Sequence, residues 1–209
     1  MYKAREKGVY LITDSRGLSE KEFYERIETA CREGIALLQL REKDSSTAEL
    51  LERGRKIKEI AGHYSTPFVI DDRVDIALAV GADGVHVGAD DMPVAIARRL
   101  LGPGKIVGAT AKTVEAAKKA ERDGADYVGV GAIYDTTTHA NPVRTSVETL
   151  AEIKKAVDID VFAIGGLRAE NLDILKGSGV DGVCVVRYLM QSEDVEGDLK
   201  RLKEAVEKI

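Results

Sequence analysis

The chain has 209 residues, of which 44% are hydrophobic and 32% charged, and a formal net charge of −5. That length suits one domain, 1–209, with a sizeable core, and the lack of polar low-complexity runs excludes a disordered chain. No basic run or aromatic-plus-basic cluster is present, so nucleic acid is not an expected partner. No apolar stretch approaches the ~20 residues of a membrane span, and the opening MYKAREKGVYLITD has no signal-peptide pattern, so a cytoplasmic protein is expected.

Along the chain, short Val- and Ile-rich runs alternate with longer amphipathic stretches eight times. The predicted strands are 9–14 (VYLITD), 36–41 (ALLQLR), 67–72 (PFVIDD), 84–88 (GVHVG), 105–110 (KIVGAT), 127–133 (YVGVGAI), 160–166 (DVFAIGG) and 182–187 (GVCVVR). Helices fall between and after them. Gly34, Gly81, Gly124 and Gly179 each follow a helical pattern, where a C-cap glycine belongs. Strict βα alternation calls for a parallel sheet, and eight units predict a single-domain α/β fold, the (βα)8 TIM barrel. An open doubly wound sheet is the alternative, but ITDSRG stands after the first strand where a G-x-G-x-x-G would be needed. Cys31 and Cys184 share no motif and read as buried thiols.

Chemistry in such barrels sits at the C-terminal strand ends, and reactive side chains collect there. Strand 2 runs into Gln39-Leu40-Arg41-Glu42-Lys43; alternation puts Gln39 and Arg41 on one face and Leu38 and Leu40 on the other. If the apolar face meets the helices, the cations point into the barrel mouth and require an anionic partner, either a ligand or nearby aspartates. Strand 3 ends in Asp71-Asp72-Arg73, and Asp90-Asp91-Met92-Pro93 follows strand 4. Carboxylates from adjacent strand ends suit one Mg²⁺, although one of Asp90 and Asp91 could instead cap helix 4. Gly165-Gly166 after strand 7 and Val186-Arg187 after strand 8 suggest a second anion site, with Thr136, Thr137 and Thr138 as hydroxyl donors; packing against helix 7 is the other explanation of the glycines. His86 reads as a packed barrel histidine and His63 as solvent-facing.

These segments, YLITD (10–14), QLREK (39–43), DDRVDIALAVGADGVHVG-x-DDMP (71–93), ADYVGVGAIY-x-T-x-T (125–138) and AIGG-x-x-x-x-N (163–171), resemble the thiamine-phosphate synthase family over nearly the whole chain. The resemblance implies a transferase that joins a pyrimidine methyl diphosphate to a thiazole phosphate, or its carboxylate form, with release of pyrophosphate. It further implies that Gln39, Arg41, Lys43, Asp71, Thr110 and His139 bind the pyrimidine diphosphate, and that Asp72 and Asp91 bind Mg²⁺. Thr136, Thr138, Gly166, Val186 and Arg187 would bind the thiazole phosphate. The partners are then small phosphorylated molecules; the outward Glu/Lys helix faces leave a homo-oligomer open.

Five positions depart from the family pattern. Asp71 stands for Asn, Ala89 for Gln, Thr110-Ala111-Lys112 for Ser-Ala-His, His139 for Lys and Arg187 for Ser. Two alternatives follow: a thiazole tautomerase-like isomerase, which would need a histidine where Lys112 stands, and a non-catalytic sensor of the thiazole phosphate.

Overall fold

The computed structural model describes residues 7–135 and 144–209. Eight parallel strands close in sequence order: β1 (Gly8–Ile12), β2 (Leu37–Leu40), β3 (Phe68–Asp71), β4 (Gly84–Val87), β5 (Ile106–Thr110), β6 (Tyr127–Val130), β7 (Asp160–Ile164) and β8 (Gly182–Val185). Tyr10 of β1 pairs with Leu37 of β2 on one side and Cys184 of β8 on the other, so the sheet is a barrel and not the open alternative. The outer layer comprises α1 (Glu20–Arg32), α2 (Thr47–His63), α3 (Val74–Val80), α4 (Val94–Leu101), α5 (Val114–Arg122), α6 (Val147–Ala156), the short α7 (Arg187–Met190) and α8 (Val195–Val206). Ser19 with Glu22 and Ser46 with Glu49 form capping boxes that start α1 and α2.

Two expectations are corrected. Between β7 and β8 the chain forms a 3-10 helix, Ala169–Leu175, in place of an α-helix; its buried Leu172 and Leu175 are spaced by three, the repeat of that helix. All the predicted strands except the fifth, which ends at Thr110 as expected, also overran at their C-terminal ends, because residues there leave the ladder to build the mouth. Gly165 and Gly166, for example, adopt φ of 111° and 62°, which no strand accommodates. The four punctuating glycines, at 34, 81, 124 and 179, all have positive φ; the first three follow the ends of α1, α3 and α5, whereas Gly179 lies beyond the 3-10 helix, whose C-cap is Lys176.

Side-chain alternation creates two cores. Leu38, Leu40, Ile70, Val85, Val107, Val128, Val161 and Val183 face outward and pack with helix residues such as Ile27, Ile57, Leu150 and Leu199. Tyr10, Leu37, Val69, Ile106, Tyr127, Phe162 and Cys184 fill the barrel interior. Cys31 and Cys184 are buried free thiols and His63 is exposed, as expected.

At the N-terminal face one device recurs. Asp83, Asp126 and Asp181 open the segments leading into β4, β6 and β8. Each carboxylate accepts a backbone N–H from the preceding strand, from Phe68 (2.9 Å), Val107 (2.9 Å) and Val161 (2.7 Å). Each also accepts a helix cation: Lys58 of α2 (2.8 Å), Arg98 of α4 (2.5 Å) and Lys154 of α6 (2.7 Å). One carboxylate thus ties two strands and a helix together, once in each of three successive βαβα quarters.

Candidate active site

At the opposite, C-terminal face, β2, β3 and β4 deliver the charges anticipated from the sequence. Lys43 Nζ lies 2.9 Å from Asp71 Oδ2 and also touches Asp72; Arg41 Nε is 3.8 Å from the same Asp71 oxygen. Burial raises the pKa of Asp71, an effect that Lys43 and Arg41 oppose. Burial also works against the charge on Lys43, but Asp72 and Asp71 outweigh it and hold the ammonium above its usual pKa. Asp91 is raised first by burial and next by the Asp72 carboxyl it faces.

Three details define the cluster further. Asp71 is paired with Lys43 and Arg41 and not with Arg73, which binds Asp75 two residues along, at 2.6 Å. Neither Asp90 nor Asp91 caps α4: its N-cap is Pro93, without a side-chain bond, while Asp91 Oδ2 accepts the Gly88 N–H at 3.1 Å. Asp72 adopts φ of 58°, a left-handed conformation that costs energy for most side chains and that Asp and Asn tolerate best.

Beneath this cluster a hydrogen-bond chain crosses the barrel interior. Gln39 of β2, 2% exposed, donates to Tyr10 Oη of β1; Tyr10 Oη lies 2.8 Å from Tyr127 Oη of β6. Tyr127 Oη lies 3.1 Å from His86 Nδ1 of β4, and His86 Nε2 lies 3.1 Å from Thr110 Oγ1 of β5. Burial, followed by the Lys43 charge, pushes the His86 pKa down to about 4. A neutral ring held at both nitrogens is the packed histidine the sequence suggested. Gln39 and Thr110 are therefore joined through three intermediate side chains, which the sequence did not reveal. The available signal was Gly108, since a glycine within a strand marks a close approach of its neighbours.

Glu42 is structural within the QLREK run. Its carboxylate accepts from Thr13 Oγ1 (2.9 Å), Ser15 N (3.3 Å) and Ser15 Oγ (2.6 Å), binding the loop after β1 to that after β2.

The far side of the mouth comes from β6, β7, β8 and β1. A β-carbon on Gly165 would lie 2.6 Å from Ala132, and one on Gly166 would lie 2.8 Å from Tyr134 Cβ. The glycines thus admit the loop after β6, and not helix 7, whose packing was the other explanation offered for them. Asn171 Nδ2 donates to Gly166 O at 2.9 Å and holds this turn. Val186 precedes α7, whose first residue is Arg187. The Arg187 side chain reaches back to Asp14 after β1, with Nε 3.3 Å from Oδ2. Thr136, Thr138 and His139 lie outside the described residues.

Cations and carboxylates on one side of the mouth and a glycine-lined turn beside a short helix on the other suit two anionic ligands. A family model described as thiamine monophosphate synthase matches residues 9–189. The chain belongs to the thiamine monophosphate synthase family. It is 50% identical over 188 residues to thiamine-phosphate synthase 2 of Streptococcus pneumoniae, covering 90% of each chain. To thiamine-phosphate synthase of Enterococcus faecalis it is 50% identical over 201 residues, covering 96% of this chain and 95% of that one. Among solved structures, the thiamine phosphate pyrophosphorylase of Pyrococcus furiosus superposes with a TM-score of 0.85 at 37% identity, covering 96% of both chains. The thiamine monophosphate synthase family match spans all eight strands from Val9 onward, so the barrel mouth as a whole lies within it. No helix among the described residues is long and apolar enough to cross a membrane.

Proposed function

We propose that this family member joins a pyrimidine methyl diphosphate to a thiazole phosphate, or its carboxylate form, and releases pyrophosphate at the barrel mouth. The observation that carries this reading is the convergence of Arg41, Lys43, Asp71, Asp72 and Asp91 from three neighbouring strand ends. Cations for phosphate oxygens beside carboxylates for a hard divalent ion form the donor set that a metal-bound diphosphate requires.

The same cluster supports Mg²⁺ as cofactor. Asp72 and Asp91 are near enough for one carboxyl to raise the pKa of the other, and the Lys43 ammonium is drawn against Asp72. Facing carboxylates that attract the nearest cation are stabilised by a divalent ion. No group of three or more His, Cys, Asp or Glu side chains suited to a metal occurs among the described residues. Two carboxylates accord with Mg²⁺, which takes much of its shell from water and substrate phosphate. Asp72 and Asp91 would hold the ion. When bound, it supplies positive charge to the departing diphosphate oxygens.

Arg41 and Lys43 bind the diphosphate and stabilise the negative charge that grows as the methylene C–O bond breaks. Gln39, Asp71, Thr110 and His139 complete the pyrimidine side. Thr136, Thr138, Gly166, Val186 and Arg187 hold the thiazole phosphate, so that the ring nitrogen faces the methylene carbon and its lone pair forms the new C–N bond. The electron-rich pyrimidine stabilises the intervening cation, and no strong general base is required. The remaining work is to hold two partners close and exclude water.

The deciding experiment measures thiamine phosphate formation by purified protein across a Mg²⁺ titration, beside Asp72→Asn. Asparagine keeps the left-handed backbone at 72 and removes the charge. Mg²⁺-dependent product that disappears in the variant supports the reading. No product at any Mg²⁺ concentration overturns it and points to isomerisation of the thiazole carboxylate phosphate.

A further inference from the structure

The helices α3 and α4 stand side by side in the outer layer, and what they show to solvent differs from the rest of it. Each of α1, α2, α5, α6 and α8 contains both Glu and Lys, whereas α3 and α4 contain neither. After Asp75 the exposed residues of α3 are Leu78 and Ala79; those of α4 are Ala95, Ile96, Arg99 and Leu100. Leu78, Ile96 and Leu100 are 52%, 37% and 50% exposed, and Ile174, the one other exposed large hydrophobic among the described residues, belongs to the 3-10 helix. Single exposed apolar residues are ordinary, but three on one helix pair make a patch, and Lys and Glu are the residues depleted where proteins meet.

The charges on this face lie at its two ends. Asp90 stands just before α4, toward the barrel mouth, and Arg99 lies in the last turn, toward the opposite face. Neither makes a hydrogen bond or ion pair among the described residues. The neighbouring Arg98, by contrast, is committed to Asp126 at 2.5 Å and to the carbonyls of Gly102 and Gly124, each at 2.9 Å. Asp75 has its own partner in Arg73, at 2.6 Å. An unpaired acid at one end, an apolar centre and an unpaired cation at the other make a face that complements itself when turned end to end. A lipid surface fits less well, because helices that lie on membranes carry many Lys and Arg, while this face has one exposed Arg on a chain of net charge −5.

We infer that the α3–α4 face binds a second copy of this chain, with the two copies of α4 antiparallel and Arg99 of each protomer beside the partner's Asp90. A closed two-fold contact uses the same patch on both protomers, so the patch must complement itself. A two-fold axis that crosses α4 near Ala95 and Ile96, perpendicular to the barrel axis, forms two reciprocal Arg–Asp pairs around the apolar centre. An axis along the barrel would instead gather Asp75 and Asp90 of both protomers at one end, where like charges repel. The two barrel mouths therefore point in opposite directions, and the contact lies on the helices that directly follow Asp72 and Asp91. The inference is independent of the reaction the protein performs.

The test is sedimentation equilibrium of the full chain. Over about 1–100 μM the wild type should approach twice the chain mass of 22.6 kDa. Arg99→Glu and Asp90→Arg, both at exposed positions, should each raise the dimer Kd about tenfold or more, because each homodimer then sets two like-charged pairs together. Mixed in equal amounts, the two variants should regain the wild-type mass, since every pair in the mixed dimer is again opposite in sign. That recovery also shows that both variants are folded. Leu100→Glu, which places a charge in the apolar centre, should leave only monomer. A wild type that stays monomeric at the top of the concentration range, a dimer indifferent to Arg99→Glu and Leu100→Glu, or a mixture no heavier than its components would overturn the inference.

Discussion

Gly108 of β5 stands opposite Tyr127 of β6, and a β-carbon on Gly108 would lie 2.0 Å from Tyr127 Cζ. The missing side chain on one strand is the space occupied by the ring on the next, and that ring places its hydroxyl between Tyr10 and His86. Gly108→Ala should therefore overpack the interior and cost about 1–3 kcal/mol. Thermal unfolding checks this: a drop of several degrees is expected, at roughly 2–4 °C per kcal/mol for a chain of this size. An unchanged midpoint would mean the ring has somewhere else to go.

Asp71 presents a carboxylate to Arg41 and Lys43, the two cations proposed to bind the diphosphate. Replacing it with asparagine removes that competition while keeping the shape. Asp71→Asn is expected to lower KM for the pyrimidine diphosphate about fivefold, the effect of roughly 1 kcal/mol of partly screened charge interaction. Steady-state kinetics at saturating Mg²⁺ provide the measurement. A higher KM would show that Asp71 contributes more to holding the pyrimidine than its charge costs the diphosphate.

The His86 pKa of about 4 makes a prediction for stability against pH. In the unfolded chain the imidazole titrates near 6.5, so between about 6.5 and 4 the unfolded state holds more protons than the folded one. Stability therefore declines as pH falls through that window, by about 3 kcal/mol in total from this residue. Urea unfolding at pH 7 and pH 5 should show the decline in the wild type and a flatter dependence in His86→Gln. Parallel curves for the two proteins would remove His86 from the account.

Glu42 holds three donors from the loop after β1. Glu42→Ala leaves them unsatisfied and should cost about 2–3 kcal/mol, as expected when a charged acceptor is lost. Hydrogen exchange localises the effect: the amide of Ser15 should lose protection while those in β5 keep theirs.

The barrel and the charged half of the site were legible because they rest on local regularities. Gln39 and Arg41 share a face by simple strand alternation, and Asp71, Asp72 and Asp91 sit where strands end. Partner choice was less legible, because it depends on which residues separate strand ends bring together. Arg73 and Lys43 are both plausible partners for Asp71 along the chain; only the packing of β2 beside β3 selects Lys43. The link from Asp14 to Arg187 spans 173 residues and has no local signature. The 3-10 helix was missed for another reason: its seven residues are too few for helical periodicity to separate it from an α-helix.

The aspartate clamps at the N-terminal face occur in three quarters of the barrel, while in the first quarter Ala36 occupies the equivalent place before β2, its N–H bonded to Val9 O at 2.8 Å. No carboxylate at that position rivets β1, β2 and a helix together. Native-state breathing should therefore begin along the β1–β2 stave and spread outward from it, with β3 to β8 opening later. Arg41 stands at the upper end of that stave, so the least firmly riveted part of the wall carries one of the cations proposed to bind the diphosphate.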